Sequence, residues 1–335
     1  MPEIRIVIVS PALHDANNGN WQTARRWQQL LAPASHARIV RQWPDAQASV
    51  RDRVMLALHA RRSAASIAAW AAARGTQSDA PGLAVVLTGT DLYRDIAHDP
   101  AAQASLRSAQ VLVTLQECGP DALPSDLRSK ARVMFQSTTQ RMALPKTKRR
   151  LRVLVVGHLR EEKAPQTVFA LARALQLHTD IRIDHIGAAL DPALGRLARQ
   201  TARQCPAYRW LGALPHEVTR RRIQRAHVLL HPSRMEGGAH VVMEAVRGGT
   251  AVLASRVDGN VGMLGSDYGG YFGFGDVAAA ADLVLRCRNA QAGAVADVLG
   301  QLMVQCQRRA PLFDPARERG RLHQLVEELL EGQPA

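Results

Sequence analysis

The chain has 335 residues, which is long for one hydrophobic core and suits two domains of about 150 to 180 residues each. Hydrophobic residues make up 47% and aromatic residues 4%, so we expect a globular protein with a core of Ala, Val and Leu. The longest charge-free run, near residues 64–73, is about half the ~20 residues of a membrane-spanning helix. The sequence therefore predicts no such helix.

The formal net charge of +14 raises the question of a nucleic-acid partner. Of the 43 basic residues only four are lysine, and the arginines are mixed through Ala-rich stretches without interleaved aromatic residues. This pattern argues against a nucleic-acid partner. A basic nucleic-acid-binding protein is kept as the alternative hypothesis from a different functional class. A positive field would still help to collect phosphorylated substrates.

The four cysteines are isolated from one another. No Cys-x-x-Cys pair and no histidine at ligand spacing accompanies Cys118, Cys205, Cys287 or Cys306. We therefore expect neither a zinc site nor a disulfide framework, and a cytoplasmic location.

Short apolar runs alternate with helical stretches along the whole chain. This alternation predicts an α/β fold of two doubly wound Rossmann-like domains with parallel sheets. The first run contains Arg5 and leads straight into a loop, so it is predicted to be a strand and not a signal peptide. The predicted strands are 4–9, 38–41, 54–58, 84–87, 111–115, 133–135, 152–156, 181–186, 208–211, 228–230 and 251–254.

The predicted domains are residues 1–145 and 151–312, followed by a C-terminal helix within 313–335. The basic, proline-containing stretch 143–150 between the domains is interpreted as a solvated linker. Ligands of doubly wound sheets collect at the carboxyl ends of the strands, so two facing domains would form one cleft.

The most informative motif is the stretch 232–245, PSRMEGGAHVVMEA. It follows a predicted strand and runs through Gly237 and Gly238 into a helix, whose first N–H groups attract phosphate. Glu244 is predicted about two turns into this helix, roughly 12 Å along its axis, which is near the distance from a diphosphate to a ribose. Glu236 can then take sugar hydroxyls and Glu244 ribose hydroxyls, unless both glutamates are solvated surface residues.

A second motif follows the strand at 152–156 and reads GHLREEK, from Gly157 to Lys163. Together the two motifs resemble the donor site of family-4 glycosyltransferases with the GT-B architecture, two Rossmann-like domains facing a cleft. The resemblance implies that Glu236 lies at the reacting sugar, that Glu244 binds the ribose and that Lys163 holds the diphosphate. The arginine usual in that family is replaced by His158 or by Arg160, and the last helix is expected to return to the first domain.

Three loops of the first domain are candidate site segments. Residues 10–21, with Gly19 and Asn20, match the position of the family's first donor loop, or form an ordinary Asn-Gly turn. Residues 59–63, HARRS, offer His59, Arg61 and Arg62 to a small dianion, with Ser63 predicted to cap the next helix. The loop 88–93, TGTDLY, matches the place where donor and acceptor meet; otherwise Thr90 or Asp91 simply caps a helix.

The combination of these motifs resembles the bacterial selenosugar synthases of selenoneine biosynthesis over nearly the whole chain. That resemblance implies a carbon–selenium bond made from a UDP-sugar, either UDP-N-acetylglucosamine or UDP-glucose, and selenophosphate. The selenosugar would pass to a downstream enzyme of selenoneine synthesis. The residues alone indicate a nucleotide-sugar donor and a small anionic acceptor, and an ordinary hydroxyl acceptor is the alternative.

The chemistry requires positive charge around the leaving diphosphate. Lys163, Arg160 and the N–H groups of residues 237–240 can supply it, and the absence of an Asp-x-Asp motif predicts a metal-independent enzyme without a cofactor. The catalytic candidates are Glu236, Lys163, Arg160 and Asp91. The donor candidates are Gly157, His158, Gly237, Gly238, Ala239, His240, Glu244, Gly19 and Asn20, and the acceptor candidates are His59, Arg61, Arg62 and Thr90.

Overall fold

The structure is a computed structural model that describes residues 4–13, 19–32, 35–293 and 297–331. The chain divides into unit 1, residues 1–137 with 315–335, and unit 2, residues 138–314. Each unit contains one six-stranded sheet in which all paired strands are parallel. The predicted α/β class with doubly wound parallel sheets is confirmed.

The strands follow the predicted apolar runs, with ends that shift by up to four residues. The prediction at 133–135 shares only Val133 with the observed strand, and the short last strand was not predicted. The strands are β1 Ile4–Val9, β2 Ser35–Val40, β3 Asp52–Leu58, β4 Ala80–Leu87, β5 Ala109–Thr114, β6 Ala131–Val133, β7 Leu151–Val156, β8 Ile181–Ile186, β9 Tyr208–Trp210, β10 Val228–His231, β11 Ala251–Ser255 and β12 Tyr271–Phe272.

Helices connect most successive strands, as is usual for parallel pairing. The exceptions are β2 to β3, β5 to β6 and β6 to β7, which no α-helix connects. They are α1 Gly19–Leu31, α2 Ala64–Ala73, α3 Ile96–His98, α4 Pro100–Ser108, α5 Pro165–Ala174, α6 Pro192–Gln204, α7 His216–Arg225, α8 His240–Arg247, α9 Asp258–Leu264, α10 Val277–Gln291, α11 Val298–Arg309 and α12 Pro315–Leu330. A π-helical turn, Asp91–Asp95, precedes α3, and a 3-10 turn, Glu161–Lys163, precedes α5.

The sheet of unit 1, sheet 1, has the order β2-β1-β3-β4-β5-β6. Alternate residues of β1 enter the two apolar layers that cover its faces: Ile6 and Ile8 pack with Trp27, while Val7 and Val9 pack with Trp70. The strands are therefore buried on both faces, which explains why they read as unbroken apolar runs.

Helix α12 belongs to unit 1 and lies on the layer that contains Trp27. Its Leu322, Leu325 and Leu329 are part of this layer. Glu318, 1% exposed, accepts hydrogen bonds from Trp27 Nε1 at 2.8 Å and from the backbone N–H of Ser137 at 2.8 Å. The carboxylate thus ties α12 to α1 and to the segment that follows β6.

The sheet of unit 2, sheet 2, has the order β12-β11-β10-β7-β8-β9. The predicted linker before β7 is solvated at Ala143, Pro145, Lys148 and Arg149, which are exposed, but it also makes contacts with this unit. Lys146 donates to the carbonyl of Gly249 at 2.7 Å, and Gln291 donates to the carbonyl of Thr147. Burial lowers the pKa of Lys146 to about 8. The basic composition of this stretch did not predict its packing, because a lysine can bury its apolar stem and still donate hydrogen bonds through its ammonium group.

Candidate functional site

The order of sheet 2 reverses at β7, which pairs with β8 on one side and β10 on the other. The chain leaves such adjacent strands in opposite directions, so a crevice opens at their carboxyl ends. Gly157 follows β7, and His231 is the last residue of β10. Both second-domain motifs therefore begin at one switch point within unit 2.

Glu236 lies at the centre of this crevice. Its Oε1 accepts a hydrogen bond from Lys163 Nζ at 2.5 Å and lies 3.0 Å from His231 Nε2. Glu236 is 8% exposed. Although burial opposes ionisation, the charges of Lys163 and His231 hold the pKa of Glu236 well below its usual range. The carboxylate is therefore ionised at neutral pH.

The segment that carries Glu236 is supported from behind by the end of β11 and the start of α9. A Cβ added to Gly259 would lie 1.9 Å from the carbonyl oxygen of Glu236, so only glycine allows this approach. Ser255 Oγ donates to the carbonyl of Ser233, and Asn260 Nδ2 donates to the carbonyl of Ser255 at 2.9 Å. Ser255 and Asn260 are both fully buried, so these contacts fix the position of the Glu236 backbone.

Helix α8 begins directly after the Gly-Gly turn. Its N-cap, Ala239, has no side-chain capping bond, and the N–H groups of Gly237 and Gly238 donate to no acceptor within the described part of the chain. Backbone donors of this kind attract anions. His240, the first residue of α8, is half-buried.

Glu244 lies one turn into α8, not two as predicted, because the helix begins only at His240. Glu244 is 9% exposed. Its Oε1 lies 2.6 Å from His216 Nε2 and 3.8 Å from Arg220 Nε. The hydrogen bond to Glu244 raises the pKa of His216, against the effect of burial. Glu244 is therefore an oriented carboxylate and not a solvated surface residue.

The two candidates for the missing arginine have different environments. His158 Nδ1 accepts a hydrogen bond from the backbone N–H of Ala188 at 3.1 Å, and desolvation, Arg160 and Lys163 lower its pKa. It is therefore neutral at pH 7 and carries its proton on Nε2. Arg160 is exposed, and its ion-pair partner is Glu162 at 3.9 Å. The cation in direct contact with Glu236 is Lys163.

In unit 1 the loops after β3 and β4 meet at Asp91, which is fully buried. Its carboxylate accepts from the backbone N–H groups of Ala60 at 3.0 Å, Thr88 at 2.9 Å and Gly89 at 2.9 Å. Asp91 thus joins the two predicted acceptor loops. This arrangement differs from the predicted helix cap, since Thr90 and Asp91 make no side-chain capping bond.

His59 packs against this joint and is 2% exposed. Its Nδ1 accepts from the N–H of Arg62 at 3.4 Å, so Nε2 carries the proton and donates to Thr90 Oγ1 at 3.2 Å. Burial lowers the pKa of His59, against the attraction of Asp91. The ring is therefore neutral and connects the two loops.

The adjacent arginines differ from each other. Arg61 Nε lies 3.2 Å from Asp95 Oδ2 and Arg61 Nη1 4.0 Å from Asp99. Arg62 is exposed and has no ion-pair partner among the residues of the described ranges. Ser63 occupies the predicted N-cap position of α2, but its side chain makes no capping bond, because Oγ donates to the carbonyl of Leu58 at 2.7 Å.

Gly19 and Asn20 are the first two residues of α1, where Thr23 Oγ1 donates to the carbonyl of Gly19 at 2.8 Å. Residues 14–18 of the predicted first loop lie outside the described residues. Within the described ranges no group of three or more His, Cys, Asp or Glu side chains could hold a metal ion. Across the same ranges no helix has the length and apolar character needed to cross a membrane.

Four contacting residues were missed by sequence reasoning: His231, His216, Arg220 and Asp95. His231 carried a usable signal, since it ends a strand that precedes the motif. His216, Arg220 and Asp95 carried none, because their contacts depend on how separate helices pack.

Residues 136–291 match the family model described as Glycosyl transferases group 1. The matched residues cover most of unit 2 and include both motifs at the switch point of sheet 2. No curated protein sequence matches the chain.

Several solved structures share the fold. The chain is similar to sucrose-phosphate synthase from Thermosynechococcus elongatus, with 16% identity and a TM-score of 0.73 over 98% of this chain and 100% of that one. It is similar to Anabaena HepE in complex with UDP-glucose, with 13% identity and a TM-score of 0.71 over 96% and 99%.

A third similar structure is a variant of S. aureus TarM in complex with UDP and other ligands, with 10% identity and a TM-score of 0.62. The match covers 83% of this chain and 55% of that one, so the chain spans about half the length of TarM. At these identities the similarity shows the fold, which is that of GT-B glycosyltransferases.

Proposed function

We propose that the protein is a glycosyltransferase that takes its sugar from UDP-sugar. The observation that carries this proposal is the contact of Lys163 with the buried Glu236 at the switch point of sheet 2. A cation, a carboxylate and the amides of Gly237 and Gly238 together suit a sugar diphosphate. The group 1 domain and the UDP complexes of the similar structures support the proposal.

Departure of UDP requires stabilisation of the negative charge that builds on the leaving diphosphate. Lys163 and the N–H groups of Gly237 and Gly238 would supply this stabilisation. Electrostatic stabilisation of developing charge usually lowers such barriers more than any other effect. His158 would add a neutral N–H donor. This set works without a metal, and we propose a metal-independent and cofactor-free transfer.

Glu236 and Glu244 would bind the two ends of the donor. Glu236 would accept from sugar hydroxyls while it holds the Lys163 ammonium group. His216 and Arg220 contact only Oε1 of Glu244. The second oxygen of Glu244 can then accept from the ribose hydroxyls, as an ionised carboxylate does in strong hydrogen bonds.

We further propose that the acceptor is selenophosphate. Selenium would attack C1 of the sugar while the bond from C1 to the diphosphate oxygen breaks and UDP leaves with the electron pair. Water would then attack phosphorus, and the breaking phosphorus–selenium bond would leave the selenosugar and phosphate. The order of the motifs in unit 1, with the exposed Arg62 and its neighbour Arg61 at the end of β3, supports this acceptor.

Selenophosphate is already anionic, so its placement matters more than its deprotonation. Asp91 and Thr90 would then hold the acceptor loops in position. We place the reaction in the cytoplasm, where the four free cysteines would stay reduced. The product would pass to a later enzyme of selenoneine synthesis.

One observation favours an ordinary hydroxyl acceptor as the second candidate. The charge of Arg61 is balanced by Asp95 and Asp99. A loop whose arginine is already paired attracts a dianion less strongly, whereas carboxylates accept readily from sugar or polyol hydroxyls.

The test is a reaction of the protein with UDP-N-acetylglucosamine or UDP-glucose and selenophosphate, followed by mass spectrometry. We expect UDP and a sugar that carries the selenium isotope pattern, and neither with the Glu236→Gln variant. Consumption of selenophosphate without a sugar adduct would contradict this acceptor. Failure of the protein to bind UDP in calorimetry would overturn the donor site itself.

A further inference from the structure

A concavity of about 650 Å³ in unit 2 has an unusual lining. Fourteen residues line it, of which eight are arginines and one, Asp184, is acidic. The arginines come from the segment before β7, from β7, β8 and β9, and from α7. The chemical function proposed above uses none of them.

The strand register places like charges side by side on one face of sheet 2. Arg152 of β7 and Arg182 of β8 are direct partners in the parallel pairing, and Asp184 is the partner of Arg209 on β9. Directly opposed like charges destabilise a sheet. Burial and the nearby charge of Arg209 lower the pKa of Arg182.

Helix α7 adds Arg221, Arg222 and Arg225 to the lining. Asp184 pairs with Arg209 at 2.7 Å and with Arg222 at 3.5 Å. No second carboxylate lies among the fourteen lining residues. The remaining guanidinium groups therefore have no carboxylate partner within the lining.

We propose that this concavity is a second anion site, which binds a compact chain of phosphate groups without a base. Guanidinium groups make paired, charge-assisted hydrogen bonds to phosphate oxygens. Several of them converging on one pocket require a ligand whose phosphates are closely spaced, as they are in an oligophosphate chain.

The shape and lining argue against larger polyanions. No aromatic side chain lines the concavity, so the bases of a nucleic acid would find no stacking partner. A bilayer surface is flat and would leave the deeper residues, such as Arg182, without a contact. A flexible phosphate chain can enter the concavity and reach both strand and helix arginines.

The proposed site is separate from the donor site. Its strand arginines Arg152 and Arg182 are the second residues of β7 and β8, whereas Gly157 and Lys163 follow the carboxyl end of β7. A six-residue strand spans about 20 Å. The two ligands should therefore bind independently, and the second site does not depend on the function proposed for the first.

The experiment is calorimetric titration of the full chain with tripolyphosphate at 0.15 M salt. We expect saturable binding of one tripolyphosphate per chain, unchanged by saturating UDP. The triple variant Arg182→Ala, Arg221→Ala, Arg225→Ala should bind at least about tenfold more weakly, because each lost phosphate contact reduces affinity. A matched variant, Arg173→Ala, Arg196→Ala, Arg203→Ala, removes three exposed arginines outside the concavity and should bind like the wild type.

Circular dichroism and the melting temperature will show whether both variants fold. If both variants bind tripolyphosphate more weakly to the same degree, the effect is one of net charge and the site is overturned. Competition by UDP would overturn it as well. So would binding of tripolyphosphate no stronger than that of sulfate at equal ionic strength. Tighter binding of a DNA duplex or of anionic phospholipid vesicles, lost in the first variant alone, would show that the ligand class is wrong.

Discussion

The ammonium group of Lys163 and the carboxylate of Glu236 lie 2.5 Å apart, although 73 positions separate them in the chain. The two residues leave sheet 2 after neighbouring strands, β7 and β10. Since Glu236 is buried, its charge depends on this partner and on His231. The same contact that places the two groups for a sugar diphosphate therefore also stabilises the fold.

Replacement of Lys163 by methionine should affect both turnover and stability. We expect UDP-sugar turnover to fall by about 100- to 1,000-fold, the usual loss when one stabilising donor is removed. The unfolding free energy should fall by about 3 kcal/mol at pH 7, because a buried carboxylate loses its counter-ion. Initial rates and urea unfolding measure the two effects.

The stability effect of Lys163→Met should depend on pH. The native pKa of Glu236 lies below its ordinary 4.5, so the pair stabilises the fold above pH 4.5 and this contribution is lost as the pH falls further. The wild type and the variant should therefore converge in acid. Arg160→Met is the control, and a rate loss equal to that of Lys163→Met would show that Lys163 is not the sole diphosphate cation.

The fold could be predicted because parallel strands buried on both faces read as apolar runs. The motif from Glu236 to Glu244 could also be predicted from the sequence, since its glycines and the helix start are local features. The contact of His216 with Glu244 was not, because it depends on the packing of α7 against α8. Likewise Asp91 reads as a helix cap, yet its carboxylate joins two loops through backbone amides.

Glu244→Ala should weaken the binding of UDP by about 1–3 kcal/mol, the cost of lost hydrogen bonds to a charged partner. Calorimetry with UDP and with its 2′,3′-dideoxy analogue locates the contact. The analogue lacks the ribose hydroxyls, so the substitution should change its affinity little. An equal loss for both ligands would mean that Glu244 acts elsewhere than at the ribose.

The His216–Glu244 contact should make stability depend on pH near neutrality. Glu244 raises the pKa of His216 above its ordinary 6.5, so the contribution is complete below pH 6.5 and disappears as the pH rises through the native pKa. The melting temperature of His216→Ala should therefore fall furthest below that of the wild type at pH 6 and approach it at pH 9. A gap that widens with pH would contradict this assignment.

Gly259→Ala tests whether the start of α9 positions Glu236. The added Cβ would lie 1.9 Å from the carbonyl oxygen of Glu236 and 2.8 Å from its Cβ, so the Glu236 backbone must move. We expect turnover to fall by about 10- to 100-fold, because a displacement near 1 Å is enough to misalign reacting groups. Gly320→Ala in α12, whose Cβ would meet no atom within 4 Å, is the matched control and should keep full activity. If Gly259→Ala stays folded and as active as the wild type, the start of α9 does not set the position of Glu236.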